Sequence, residues 1–174
     1  MARPSISDLS DLAPGPETCG GIDIRIARDG TWFYHGSPIG RKPLVKLFAS
    51  VLRRNSDGSF WLVTPAERVR IQVDDAPFVA VALTVAGEGR DTRLAFTTNV
   101  EDTVLAGKNN PIRVAFDPAT GEPAPYVLVR DGLEALISRA VYYELVTIGE
   151  SREASFGVWS DGAFFALGEA PCAS

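Results

Sequence analysis

The chain has 174 residues, 45% of them apolar and 22% charged, which is enough apolar matter for one large globular domain or two small ones and excludes disorder by composition. A net charge of −5, with no long basic stripe, argues against extended nucleic-acid binding, because the chain as a whole repels a polyanion. No apolar run nears the roughly 20 residues that span a bilayer. The longest, Phe78 to Leu83, is strand-sized, so no membrane partner is expected.

The opening Met1-Ala2-Arg3-Pro4 leads into Ser and Asp, not into the apolar centre of a signal peptide. Residues 1–19, rich in Pro, Ser, Asp and Gly, read as a loosely ordered N-terminal arm. An N-terminal α+β part then spans residues 20–73. Ile22 to Ile26 alternates apolar and charged residues, the mark of a half-buried strand. Asp29-Gly30 turns the chain into a second strand at Thr31–Tyr34. Pro43 suits the first turn of a helix. Leu44, Val45, Leu47, Phe48, Val51 and Leu52 give that helix one apolar face, with Lys42, Lys46, Ser50 and Arg53 opposite, and place its end near Asn55. Asp57-Gly58 opens a hairpin whose strands read as Phe60–Val63 and Val69–Val73.

The C-terminal part covers residues 74–174. Phe78 to Val85 is almost continuously apolar, as in a strand covered on both faces. Strands are expected at Arg93–Thr98, Ile112–Phe116 and Tyr126–Val129. Leu133, Leu136, Ile137, Ala140, Val141 and Leu145 mark a second helix. A last hairpin joins Phe156–Ser160 to Ala163–Leu167 through Asp161-Gly162. Asp-Gly, a small residue and two aromatics recur at Asp29, Asp57 and Asp161, and each helix is followed by such a hairpin. That order points to an internal duplication. The fold class is α+β, the second part curling a larger antiparallel sheet against its helix.

Charge is uneven along the chain: residues 20–72 carry a net +5 and residues 73–174 a net −8. Either the halves attract each other, or the basic half meets an anionic ligand. Arg41 and Lys42, with Lys46 a turn later, flank a helix start whose free N–H groups favour anions. A solvated basic face is the bland alternative. Thr64, Glu67 and Arg68 sit in the Thr64-Pro65-Ala66-Glu67-Arg68 connection, where Thr64 and Glu67 either bond a ligand or fix the turn. Trp61 either stacks on a ligand ring or packs in the core, the default beside Leu62 and Val63. The one histidine, His35, needs a nucleophile or orienting carboxylate to act as a catalyst, and an incidental role is commoner. Asp74-Asp75 and Glu101-Asp102 have no His or Cys at ligand spacing. Phosphate-cradling loops and nucleophile elbows are absent from the sequence, so no cofactor and no metal are expected. Cys19 and Cys172, near opposite ends, read as free thiols of a cytoplasmic protein, with a bridge as the other option.

Two stretches carry a family resemblance. Trp32, His35-Gly36-Ser37-Pro38-Ile39, Arg41 and Leu44-Val45-Lys46-Leu47-Phe48 form the first; Trp61-Leu62-Val63-Thr64-Pro65, Glu67, Ile71, Val73, Asp75 and Ala76-Pro77-Phe78 form the second. Over residues 20 to 168 the chain resembles the bacterial family called domain of unknown function 1285. The resemblance implies a duplicated α+β architecture with a pleckstrin-homology-like C-terminal part and a ligand site between the two parts, for a nucleotide-like signal molecule. No activity is implied.

The leading expectation is therefore a non-enzymatic, regulatory protein that binds a small anionic, nucleotide-like ligand. His35, Arg41, Lys42, Lys46, Trp61, Thr64, Glu67 and Arg68 would form its site. The alternative is a protein-interaction module that adds a partner strand to the C-terminal sheet. An unrecognised enzyme comes third, needing His35 beside a carboxylate in a deep pocket.

Overall fold

The computed structural model describes residues 23–65 and 68–169. The N-terminal arm, Cys19 and Cys172 lie outside these residues. Contacts divide the chain into two compact units, Met1–Asp75 and Ala76–Ser174. Both are sheet-rich with one helix, an α+β architecture.

The first unit runs β1 (Ile24–Ile26), β2 (Trp32–Tyr34), β3 (Ser37–Pro38), α1 (Lys42–Ser50), β4 (Leu52–Arg54), β5 (Phe60–Val63) and β6 (Arg68–Val73). Its sheet has the order β3-β2-β1-β6-β5-β4. All neighbours are antiparallel except β1 and β6, which pair Arg25 with Gln72 and Ile26 with Val73 in parallel. The alternation in β1 buries Ile24 and Ile26 and leaves Arg25 exposed. Trp32, Phe48, Leu52 and Leu62 are almost fully buried, and the Trp32 and Phe48 rings stack at 6.0 Å. The Trp32 Nε1–H meets no acceptor among the described residues.

Helix α1 is shorter than its apolar periodicity suggests. It stops at Ser50, Val51 leaves helical geometry at φ −105°, ψ 6°, and Leu52–Arg54 is a strand. Leu52 opposes Leu62 across β4 and β5, so the Asp57-Gly58 hairpin joins these two strands, and β5 reaches β6 through residues 64–67. Leu52 fits a helical and a strand face equally well, and a tight turn at Asp57 requires an extended partner before it.

The second unit runs β7 (Phe78–Ala86), β8 (Arg93–Thr98), β9 (Thr103–Leu105), β10 (Ile112–Phe116), β11 (Pro123–Arg130), β12 (Leu133–Ile137), α2 (Arg139–Ile148), β13 (Glu150–Arg152), β14 (Ser155–Ser160) and β15 (Ala163–Glu169). A mixed six-stranded sheet has the order β10-β11-β12-β7-β8-β9, with β12 and β7 parallel, and β13-β14-β15 form a second sheet. Phe78, Leu94, Phe96, Val127, Leu133 and Leu145 are essentially inaccessible and make the core.

Three expectations change here. The larger sheet is mixed, not antiparallel, because β12 and β7 run parallel. Leu133–Ile137 is a strand, not the start of the second helix: Leu133, Ala135 and Ile137 alternate into the core, after a turn in which Asp131 and Gly132 both have positive φ. Helix α2 begins only after Ser138, whose Oγ accepts from the Val141 N–H. Strand β7 is covered on both faces only at its start. Pairing with β12 ends at Ala80 and a bulge follows at Val81, so Val81 and Val85 are 51% and 44% exposed.

The duplicated order is visible as strands and helices: β1-β2-β3, α1, β4-β5-β6 in one unit, and β10-β11-β12, α2, β13-β14-β15 in the other, each triplet an antiparallel meander. The three Asp-Gly turns are not equivalent. Asp29 and Asp57 each accept the N–H two residues on, at 3.0 and 2.9 Å, whereas Asp161 itself has φ 48° in a two-residue hairpin loop.

Candidate functional site

The residues singled out from the sequence all belong to the first unit, and the structure joins only some of them. Arg68 stacks its guanidinium over the Trp61 ring at 4.7 Å and donates to Asn55 Oδ1. Trp61 is half-buried, not a core residue; Leu62 fills the core position of β5, and Trp32 is the buried indole of the unit. The Trp61 Nε1–H donates to Ser59 Oγ at 2.8 Å, and that hydroxyl donates to Asp57 Oδ1. The Ser59 hydroxyl, then the Ser59 N–H, hold the Asp57 carboxyl below its ordinary value. Trp61 is thus fixed by its own hairpin and its flanking arginine.

At the start of α1, Arg41 is the N-cap, exposed, with no side-chain partner among the described residues. Lys42 and Lys46 follow on α1, Lys42 exposed and Lys46 half-buried, and both make further interactions. Thr64 is half-buried; Glu67 lies outside the described residues. His35 occupies a left-handed turn position, φ 47°, between β2 and β3. Its Nδ1 is 3.7 Å from Asp23 Oδ2, and both side chains are more than half exposed. A histidine beside a carboxylate is therefore present, on an open hairpin tip that excludes little water.

A cavity that sequence reasoning missed lies in the second unit. It measures about 720 Å³ and is bounded by Asp102–Leu105, the loop Gly107–Asn110, Val129 and Arg130 of β11, and Asp161. The loop is built by hydrogen bonds. Gly107 and Asn110 exchange backbone N–H···O bonds at 3.0 and 3.1 Å, and the Asn110 amide donates to the Leu128 and Val129 carbonyls. Ser160, fully buried, accepts from the Leu94 N–H and donates to the Ala106 carbonyl, fixing the β14 end against the rim. Gly107 packs against Asp161: a Cβ there would lie 3.3 Å from Asp161 Oδ2, so a larger residue would require that carboxylate to shift by a few tenths of an ångström.

Four charged side chains line this cavity: Asp102, Lys108, Arg130 and Asp161. Asp161 has Arg93 Nε at 3.9 Å. Asp102 and Lys108 form no ion pair among the described residues. A smaller cavity of about 230 Å³ includes Val85, Ile148 and Trp159. Trp159 donates to Glu150 and carries the Arg90 and Arg152 guanidinium groups over its ring at 5.3 and 4.8 Å. No group of three or more His, Cys, Asp and Glu among the described residues could hold a metal ion. No helix among them is long and apolar enough to cross a membrane.

Comparison with known proteins gives a consistent picture. The family described as "Domain of unknown function (DUF1285), N-terminal domain" matches residues 14–76, and "Protein of unknown function (DUF1285), C-terminal domain" matches residues 77–167. The chain is similar to the crystal structure of a DUF1285 family protein from Silicibacter pomeroyi DSS-3, with 58% identity and a TM-score of 0.83 over 90% of this chain and 87% of that one. It is also similar to the crystal structure of a DUF1285 family protein from Shewanella baltica OS155, with 29% identity and a TM-score of 0.57 over 72% of this chain and 91% of that one. No curated protein matches.

Proposed function

Starting from the fact that the chain belongs to the DUF1285 family, we propose that it is a non-catalytic binding protein whose C-terminal unit takes a small charged ligand in the 720 Å³ cavity beside β9. The observation that carries this reading is the pair of charges, Asp102 and Lys108, without an ion-pair partner among the described residues, on the rim of a polar recess of small-ligand size. Two cations and two carboxylates line it, which favours a ligand bearing both signs over a polyphosphate. The mixed sheet with its single helix supports treating this unit as pleckstrin-homology-like, and a regulatory use of occupancy belongs to the same proposal.

A nucleotide-like anion is the second ligand class. Arg41, exposed and without a side-chain partner among the described residues, is the cation that would meet it at the start of α1. A thermal-shift screen of zwitterionic metabolites, nucleotides and phosphorylated metabolites, repeated on Lys108→Ala and Arg41→Ala, tests both. The cavity reading expects stabilisation that Lys108→Ala removes and Arg41→Ala leaves. Stabilisation abolished by Arg41→Ala alone moves the ligand to α1. No shift with any compound defeats the reading.

A further inference from the structure

Strand β9 ends its sheet, and the direction of its backbone groups follows from its ladder with β8. Phe96 opposes Val104, Thr98 N–H donates to Asp102 O at 2.8 Å, and Ala106 N–H donates to Leu94 O at 2.9 Å. In an antiparallel pair such bonds fall on alternate residues. Positions 102, 104 and 106 therefore turn their main-chain groups toward β8. The N–H and C=O groups of Thr103 and Leu105 point the other way, where no strand of the described residues lies. None of these four groups has a hydrogen bond among the described residues. Thr103 and Leu105 are exposed, Leu105 at 40%.

An open edge is ordinarily kept short or blunted, because it pairs with any extended chain. This one is short, at three residues, but among the described residues it opens on the cavity: Thr103, Val104 and Leu105 line it, as do Val129 and Arg130 of β11. A strand added at the usual spacing of about 4.8 Å would enter that recess. Its two ends would meet different charges, since Asp102 immediately precedes β9 and Lys108 follows it, neither of them ion-paired among the described residues.

We infer that the β9 edge binds an extended peptide segment of a partner protein as an added strand, with an acidic residue at the Lys108 end and a basic residue at the Asp102 end. The main-chain groups of Thr103 and Leu105 supply affinity for any extended backbone, and the two charges select sequence and direction. This inference rests on the reading of the cavity as a ligand site and names the ligand as a peptide. Antiparallel pairing, the more stable geometry, sets the acidic residue at the peptide's N-terminal end.

The test uses the whole chain, isotope-labelled, and the synthetic probe acetyl-Glu-Thr-Val-Thr-Val-Thr-Lys-amide, with the charge-reversed acetyl-Lys-Thr-Val-Thr-Val-Thr-Glu-amide beside it. Followed by amide NMR, the first peptide is expected to shift the Thr103 and Leu105 amides and slow their hydrogen exchange at least tenfold. The reversed peptide should bind at least fivefold more weakly, Lys108→Glu should erase that difference, and Lys108→Glu with Asp102→Lys should invert the order. Equal binding of both peptides, or shifts that leave Thr103 and Leu105 unchanged, overturns the strand inference. If, in addition, AMP or inorganic phosphate shifts the Lys108 loop, the cavity reading survives without the peptide. Silence from every probe removes both. Protection of Thr103 that grows with protein concentration before peptide is added would assign the edge to a second copy and overturn the inference as stated.

Discussion

Replacing Ser160 by Ala tests the stitch that holds the cavity rim. The hydroxyl is fully buried; it accepts from Leu94 N–H at 2.9 Å and donates to Ala106 O at 2.7 Å, and both backbone partners are themselves inaccessible. Removing one oxygen strands a buried donor and a buried acceptor. Each such group costs about 1–3 kcal/mol, and partial relaxation keeps the total near the lower end, about 2–3 kcal/mol. At about 1.4 kcal/mol per factor of ten, that is a roughly 30- to 150-fold loss of protection for amides that open with this unit. Native-state hydrogen exchange at Phe96 and Val104, whose amides sit in the β8–β9 ladder, is the direct assay and needs no assumption that the whole chain unfolds in one step. Ser37→Ala, at an exposed position in β3, is the control and should stay within about 0.5 kcal/mol. Protection in Ser160→Ala indistinguishable from that control would refute the argument that these backbone groups depend on the hydroxyl.

Phe48→Ala removes a ring with no exposed surface that stacks on Trp32; about 3–5 kcal/mol of destabilisation is expected, read from urea unfolding by tryptophan fluorescence. Gly157→Ala would set a Cβ 2.1 Å from the Phe165 carbonyl oxygen, whereas Gly168→Ala meets nothing within 4 Å. The first should cost about 1–3 kcal/mol and the second should change the melting temperature little. The Asp74 carboxyl is held below its ordinary value by hydrogen bonds from Arg25, Nε–Oδ1 at 2.9 Å. A folded-state value below the unfolded one means stability present above about pH 3.8 and lost as pH falls through the depressed value. Asp74→Asn should therefore unfold less steeply with acid than the parent, monitored by circular dichroism from pH 5 to pH 2; identical acid limbs would remove the pair from the account.

Local chemistry made parts of this fold readable. β8 and β10 stand at the boundaries their apolar runs suggest, and the Asp161-Gly162 turn is where the dipeptide puts it. Misreadings fall where two periods fit the same residues. Leu133, Leu136, Ile137 and Ala140 satisfy helical spacing, while Leu133, Ala135 and Ile137 satisfy strand alternation, and the strand is what forms. The preceding Asp131-Gly132, both at positive φ, was the signal that decides between them. Leu52 posed the same ambiguity at the end of α1. The cavity had no local signature at all. β9 is three residues long, too short to show alternation, and Lys108, Arg130 and Asp161 meet only because three separate stretches of chain converge. Among the first-unit candidates, the Trp61–Arg68 stack follows from their places on paired strands, and the sequence could not show that Trp61 would lie outside the core.

The parallel pairing of β1 with β6 has a consequence for biosynthesis. Arg25 finds its neighbour Gln72 only 47 positions later, so the first sheet cannot close until nearly the whole first unit has left the ribosome. At about 5–20 residues per second, β1 waits about 2–10 s with one side bare. Contacts this far apart in sequence slow folding as well. During that interval Ile24 and Ile26 belong to an apolar strand whose second edge is unfinished. Nascent-chain capture by a chaperone should then be strongest between the emergence of residue 26 and that of residue 73.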